Sequence, residues 1–159
     1  MTDFSLASLR SAAAMVHAQV PPTPQYAWPL LSARAGCELW VKHENHTPTG
    51  AFKVRGAITY IDWLRRAHPH VTGIITATRG NHGQAQVRAA TAAGLKATII
   101  VPHGNALEKN AAMRAFGADS MARCSWALSA QRFGHSGRGS RIFAVRSSAD
   151  FSSGCAASS

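Results

Sequence analysis

Between Glu38 and Gly117 the apolar positions switch repeatedly between two rhythms. Leu39, Trp40 and Val41 form a short run that suits a strand. Val54, Ala57, Ile58, Ile61 and Leu64 then recur every three or four residues, which places them on one face of a helix. Val71 to Thr78 is rich in β-branched residues and reads as the next strand, and Gln84 to Ala93 is an alanine-rich helix stopped by Gly94. Ala97 to Val101 is a buried-strand run closed by Pro102. Asn105, with Glu108 three residues on, has the form of a capping box opening a helix that ends at Gly117. Strand and helix in alternation with short connections predict an α/β fold, a parallel sheet flanked by helices. Ahead of this unit, Leu6, Leu9, Ala13 and Val16 recur at helical spacing and predict an amphipathic N-terminal helix.

A fourth strand should follow Gly117, yet no run within Ser120 to Ser159 alternates or stays apolar for long enough to supply it. Composition changes at the same point. These forty residues hold eleven Ser, seven Ala, five Arg and four Gly, but no Lys, Glu, Thr, Pro, Asn or Tyr. A disordered tail accounts for the low hydrophobicity. Translation out of frame in a GC-rich gene, which favours Ser, Arg, Ala and Gly codons, accounts better for the abruptness. The expected organisation is therefore residues 1–119 as the folded part and 120–159 as an aberrant tail.

The 159 residues suffice for one domain with a core. The net charge of +10 raises nucleic acid as a partner, but the basic residues are scattered, without a run or an aromatic-interleaved stripe, so no such partner is expected. Ser11 to Val20 is too short and too poorly flanked for a secretion signal, and nothing demands a membrane; the expected location is cytoplasmic. Cys37, Cys124 and Cys155 show neither disulfide nor metal spacing, and the pairs His43/His46 and His68/His70 lack a third ligand. No metal site is expected.

Two segments carry chemistry. Thr47-Pro48-Thr49-Gly50 is turn-forming and delivers Lys53 to the start of the helix whose apolar face begins at Val54. The positive end of the helix dipole disfavours an ammonium there, and a neutral amine attacks aldehydes to form a Schiff base. A solvated lysine placed early in a helix satisfies the same pattern. Thr76-Ala77-Thr78-Arg79-Gly80-Asn81-His82-Gly83-Gln84 follows a strand and opens a helix, where free N–H groups and small residues make an anion cradle. Taken alone, it is a generic anion-binding turn, and His82 reads as a structural hydrogen-bonding residue.

Together, Pro48-Thr49-Gly50-Ala51-Phe52-Lys53-Val54-Arg55-Gly56 and Gly80-Asn81-His82-Gly83-Gln84 resemble the serine/threonine dehydratase family of fold-type II (tryptophan synthase beta-like) pyridoxal-phosphate enzymes. Pro22-Thr23-Pro24, Val101-Pro102, Lys109 to Arg114 and Phe116-Gly117-Ala118 support it. The resemblance covers nearly all of residues 1–119 and none of 120–159. It implies an incomplete fold-type II architecture, with residues 1 to about 70 in the larger domain and about 71–119 in the smaller. It also implies a cofactor, pyridoxal 5'-phosphate, carried by Lys53, which then acts as acid and base at the substrate α-carbon. Phe52 would lie beside the cofactor ring and Asn81 would bond the ring hydroxyl. Thr78, Arg79, Gly80, Asn81 and His82 would receive the carboxylate of an amino-acid substrate.

Within the match, Ala51 replaces a frequent serine. Arg79 stands where the racemase branch carries a serine that serves as a second acid/base; arginine stays protonated, which favours elimination over racemisation and allows a second carboxylate to be gripped. The implied function is an ammonia-lyase acting on L-serine, L-threonine or a similar hydroxy-amino acid, giving a 2-keto acid and ammonia. The alternatives are a hydroxyaspartate lyase of the same family and a non-catalytic anion-binding fragment. The intact family protein admits a homo-oligomer. The phosphate loop and the group facing the pyridine nitrogen lie downstream of the matched part in the family, and Gly134, Gly137 and Gly139 are too close to Lys53 to replace that loop.

Overall fold

The computed structural model describes residues 5–124 and 142–145. Helix α1 (Leu6–His17) begins with a reciprocal capping box, in which Ser8 N donates to Ser5 Oγ and Ser5 N donates to Ser8 Oγ, both at 3.1 Å. The predicted helix forms, but of its apolar stripe only Val16 is buried; Leu6 and Leu9 are exposed. Among the described residues no helix is long and apolar enough to cross a membrane.

Strand β1 (Gln25–Ala27) and strand β2 (Trp40–Lys42), joined through helix α2 (Pro29–Ala35), pair antiparallel with Tyr26 opposite Val41. This corrects the expectation that the Leu39 to Val41 run starts the parallel sheet. A three-residue strand with Trp40 and Lys42 exposed does not suit a sheet covered on both faces, and nearby β1 supplies its ladder instead. A single 3-10 turn (Glu44–His46) then leads toward helix α3 (Lys53–Ala67), whose five predicted face residues are all buried.

The main sheet has the order β5-β4-β3-β6: strands β3 (Gly73–Ala77), β4 (Lys96–Pro102) and β5 (Ser120–Cys124) are parallel, and β6 (Ile142–Val145) runs antiparallel to β3. Helix α4 (Asn81–Ala92) connects β3 to β4, and helix α5 (Leu107–Ala115) connects β4 to β5. Helix α4 packs on α3, on α5 and on both strands that it joins, so one core runs from Val16 and Leu64 through Val87 and Ile99 to Met113.

Two further expectations are corrected. A strand does follow Gly117. At one end of the sheet β5 needs a single neighbour, so Arg123 stays exposed, and polar bonds set its register: Asp119 N donates to Ala97 O at 3.0 Å, Ala97 N to Asp119 Oδ2 at 2.6 Å and Ser120 Oγ to Thr98 Oγ1 at 2.9 Å. The four residues of β6 form an apolar run short enough to pass unnoticed in the sequence. The rest of the tail, and with it the expectation of disorder or a shifted frame there, lies outside the described residues. The Asn105/Glu108 capping box does not form either. The N-cap is Ala106, which puts Glu108 one position too early to reach back, and Asn105 Nδ2 donates instead to Asn110 Oδ1 at 2.6 Å.

Candidate active site

Lys53 is the first residue of α3 and Phe52 its N-cap, and both side chains are exposed. The loop that presents them is held from inside. Buried Thr47 accepts from Ala51 N and donates to Ala51 O, each at 2.9 Å, while buried Thr49 donates to Ala51 O at 3.2 Å. Gly50, at φ +63°, closes the turn in a backbone region that side chains disfavour, and its N–H donates to Thr47 O at 2.9 Å.

The loop is also fastened from outside. Arg55, the third residue of α3, donates from Nε to Glu44 Oε2 at 2.8 Å and from Nη2 to Glu44 Oε1 at 3.1 Å. Thr23 Oγ1 donates to Glu44 Oε1 at 2.7 Å, and the Lys42 ammonium lies 3.8 Å from the same oxygen. The Arg55 hydrogen bonds, opposed by partial burial and aided by Thr23 and the nearby positive charges, hold the Glu44 carboxyl below its ordinary value. The sequence reading missed Glu44 and Thr23 as members of the site. Their one signal was an acid and a base of opposite charge flanking the Thr47 to Lys53 segment.

The second segment lies at the carboxyl end of β3. Thr78 is buried, and its Oγ1 accepts from Gly80 N at 3.2 Å and Gly83 N at 3.3 Å, so its side chain caps the start of α4 and shapes the loop from beneath. Gln84 N donates to Gly80 O at 3.1 Å. The Asn81 and His82 amides are left as the open donors of that helix end among the described residues. The His82 ring turns inward, with Nε2 3.1 Å from Thr76 Oγ1. Burial, and after it the charge of Lys53, lowers the His82 pKa below its ordinary 6.5. The two sequence-predicted segments lie at the starts of α3 and α4, which pack on each other, and the charge of Lys53 reaches His82. Arg79 and Asn81 are exposed.

Space at the loop is tightly set. A Cβ at Gly80 would come within 2.8 Å of Lys109 Cδ, and one at Gly83 would collide with the Met113 sulfur and lie 2.5 Å from Thr78 Cγ2. The residues present fit the reactive end of a pyridoxal-type cofactor: an exposed amine at the start of α3, and at the start of the neighbouring α4 a loop with no side chains at positions 80 and 83. The described residues contain no group of three or more His, Cys, Asp or Glu side chains able to hold a metal ion.

The model of the family described as pyridoxal-phosphate dependent enzyme matches residues 16–134, running past Asp119, where the resemblance read from the motifs stops. The chain is 37% identical over 97 residues to the biosynthetic L-threonine dehydratase of Haemophilus influenzae, covering 61% of this chain and 19% of that protein. It is 38% identical over 98 residues to the serine racemase of Bos taurus, with 60% and 29% covered, and 34% identical over 96 residues to an L-threo-3-hydroxyaspartate ammonia-lyase of a Pseudomonas species, with 60% and 30% covered. A crystal structure of a pyridoxal 5'-phosphate-dependent aspartate racemase superposes with a TM-score of 0.70 and 29% identity, over 80% of this chain and 41% of that one. The chain thus spans a fifth to a third of the length of these curated relatives.

Proposed function

Since the chain belongs to the family of pyridoxal-phosphate dependent enzymes, we propose that it is the lysine-bearing part of an ammonia-lyase acting on L-serine, L-threonine or a close hydroxy-amino acid. What supports this reading is geometric: α3, which begins at Lys53, packs against α4, which begins at Asn81 within the second motif, and the lysine's charge is a secondary cause of the lowered His82 pKa. Pyridoxal phosphate, when bound, supplies the electron sink that such an elimination needs.

The chain's own groups divide the remaining work. The Lys53 amine would hold the cofactor and would move the proton at the substrate α-carbon. Phe52, 62% exposed beside it, offers an apolar surface to the ring. The Asn81 and His82 amides at the start of α4 receive the substrate carboxylate, supported by the positive end of that helix. Asn81 is exposed, so its side chain is available to bond the ring hydroxyl. His82 holds the loop from below through Thr76, and burial disfavours the charged form of its ring. Arg79 offers guanidinium donors and no second base, which favours loss of the β-hydroxyl over racemisation.

A second reading is favoured by Arg79 itself. An exposed guanidinium beside the carboxylate loop matches a second acidic group on the substrate, and a hydroxyaspartate ammonia-lyase is among the relatives. Borohydride reduction in the presence of pyridoxal phosphate, followed by peptide mapping, should place the cofactor on Lys53 and lose that adduct in Lys53→Ala. Labelling spread evenly over Lys42, Lys96 and Lys109, and unchanged by the substitution, rules the reading out.

A further inference from the structure

The ion pair between Glu44 and Arg55 spans the segment that presents Lys53: Glu44 precedes the Thr47–Gly50 turn, and Arg55 follows Lys53 by two residues. It joins the two ends of one loop. Both side chains are largely buried, with 17% and 20% of their surface exposed, and the guanidinium uses two nitrogens on two carboxylate oxygens, which fixes orientation as well as distance. A third segment enters from the N-terminal side. Thr23 Oγ1 donates to Glu44 at 2.7 Å, Arg55 Nη2 donates to Pro21 O at 3.4 Å and Lys42 Nζ donates to Thr23 O at 3.2 Å.

Helix α3 has no side-chain cap of its own, since Phe52 at the N-cap offers no acceptor. An uncapped first turn frays readily, and Lys53 is its first residue. The bonds of Thr47 and Thr49 to Ala51 stop two residues short of the lysine, so what holds the turn on its far side is Arg55.

We propose that Glu44, Arg55 and Thr23 are positioning residues that hold the first turn of α3 and so fix where the Lys53 amine is presented. The proposal rests on Lys53 being the cofactor-bearing amine. None of the three touches the reacting atoms; they act through the backbone of residues 51–55.

The test uses the full chain, with pyridoxal phosphate and borohydride as the probe and Lys96, at the start of β4, as the internal reference. In Glu44→Gln and Arg55→Ala, the ratio of adduct on Lys53 to adduct on Lys96 should fall about fivefold or more. Hydrogen exchange should quicken over residues 51–55 while α4 and β4 keep their protection. Arg55→Lys, which keeps the charge but not the two-nitrogen fork, should recover the protection of the turn only in part and the adduct ratio less. An unchanged ratio overturns the proposal, as does protection lost evenly through α3, α4 and β4 with the ratio tracking the unfolded fraction. If the wild-type chain shows no preference for Lys53, the cofactor reading fails. Exchange then decides the brace by itself: selective loosening of residues 51–55 sustains it, and none overturns it.

Discussion

His82 reports on Lys53. Its ring is half-buried against Thr76, and burial is the larger cause of its lowered pKa, with the lysine's charge second. Removing that charge in Lys53→Ala should therefore raise the His82 pKa while leaving it below 6.5, because the burial remains. Proton NMR titration of the histidine ring resonances measures this directly, and an unmoved value in the variant would show that the charge of Lys53 does not reach the ring. The same shift bears on stability. Since the folded value lies below the unfolded one, the unfolded chain binds the proton first as pH falls, so the contribution of His82 is present above about pH 6.5 and is lost on acidification. Glu44 acts in the same sense at lower pH, from its ordinary 4.5 downward. At this scale the sequence was informative about position, as with Lys53, which begins the helix whose apolar face starts at Val54. It said little about Thr78, because a threonine after a strand serves equally as a ligand or as a cap, and only the donor geometry at Gly80 and Gly83 separates these.

Helix α4 depends on that cap. Thr78→Val keeps the shape but removes the acceptor for two amides at a buried helix start, so a loss of about 1–3 kcal/mol is expected, while Thr78→Ser, which keeps the hydroxyl, should cost less. Urea unfolding of the two variants against wild type measures the difference, and equal midpoints for Val and Ser would refute the capping role. Elements of this kind were readable in advance in proportion to their periodicity. The stripe from Val54 to Leu64 repeats over three turns and matches the buried face of α3 residue for residue. Strand β1 has three exposed residues and no pattern at all, since its ladder is set by the nearness of β2 and not by burial. Strand β5 was missed for a related reason: an edge strand tolerates Ser120 and Arg123, so the alternation that marks a core strand is absent.

At the scale of the whole molecule, the site faces outward on a body that leaves much apolar surface uncovered. Tyr26, Trp28, Leu30, Leu31 and Trp40, all from β1, α2 and β2, are exposed, and so is Phe52 beside Lys53. The chain corresponds to 41% of the aspartate racemase structure that it superposes on, and since the proposed reading gives the amides at the start of α4 to the substrate carboxylate, it leaves the cofactor phosphate no assigned cradle. A doubly charged phosphate held without such a cradle forgoes several charge-assisted hydrogen bonds, each worth about 1.5–3 kcal/mol, and losing two of them weakens cofactor affinity by roughly a hundredfold or more. The expected outcome is that this 159-residue chain, even with excess pyridoxal phosphate, forms little or no keto acid from L-serine, L-threonine or L-threo-3-hydroxyaspartate. A version in which these residues are carried in a chain of length comparable with the relatives should form it readily. The three substrates also separate the two readings of Arg79: preference for the dicarboxylic substrate, lost in Arg79→Ser, supports a second carboxylate at that guanidinium, whereas indifference to the substitution leaves the simple hydroxy-amino acids. Robust turnover by the 159-residue chain would show that the described residues already suffice to hold the cofactor, and an extended chain that racemises serine without deaminating it would overturn the lyase assignment.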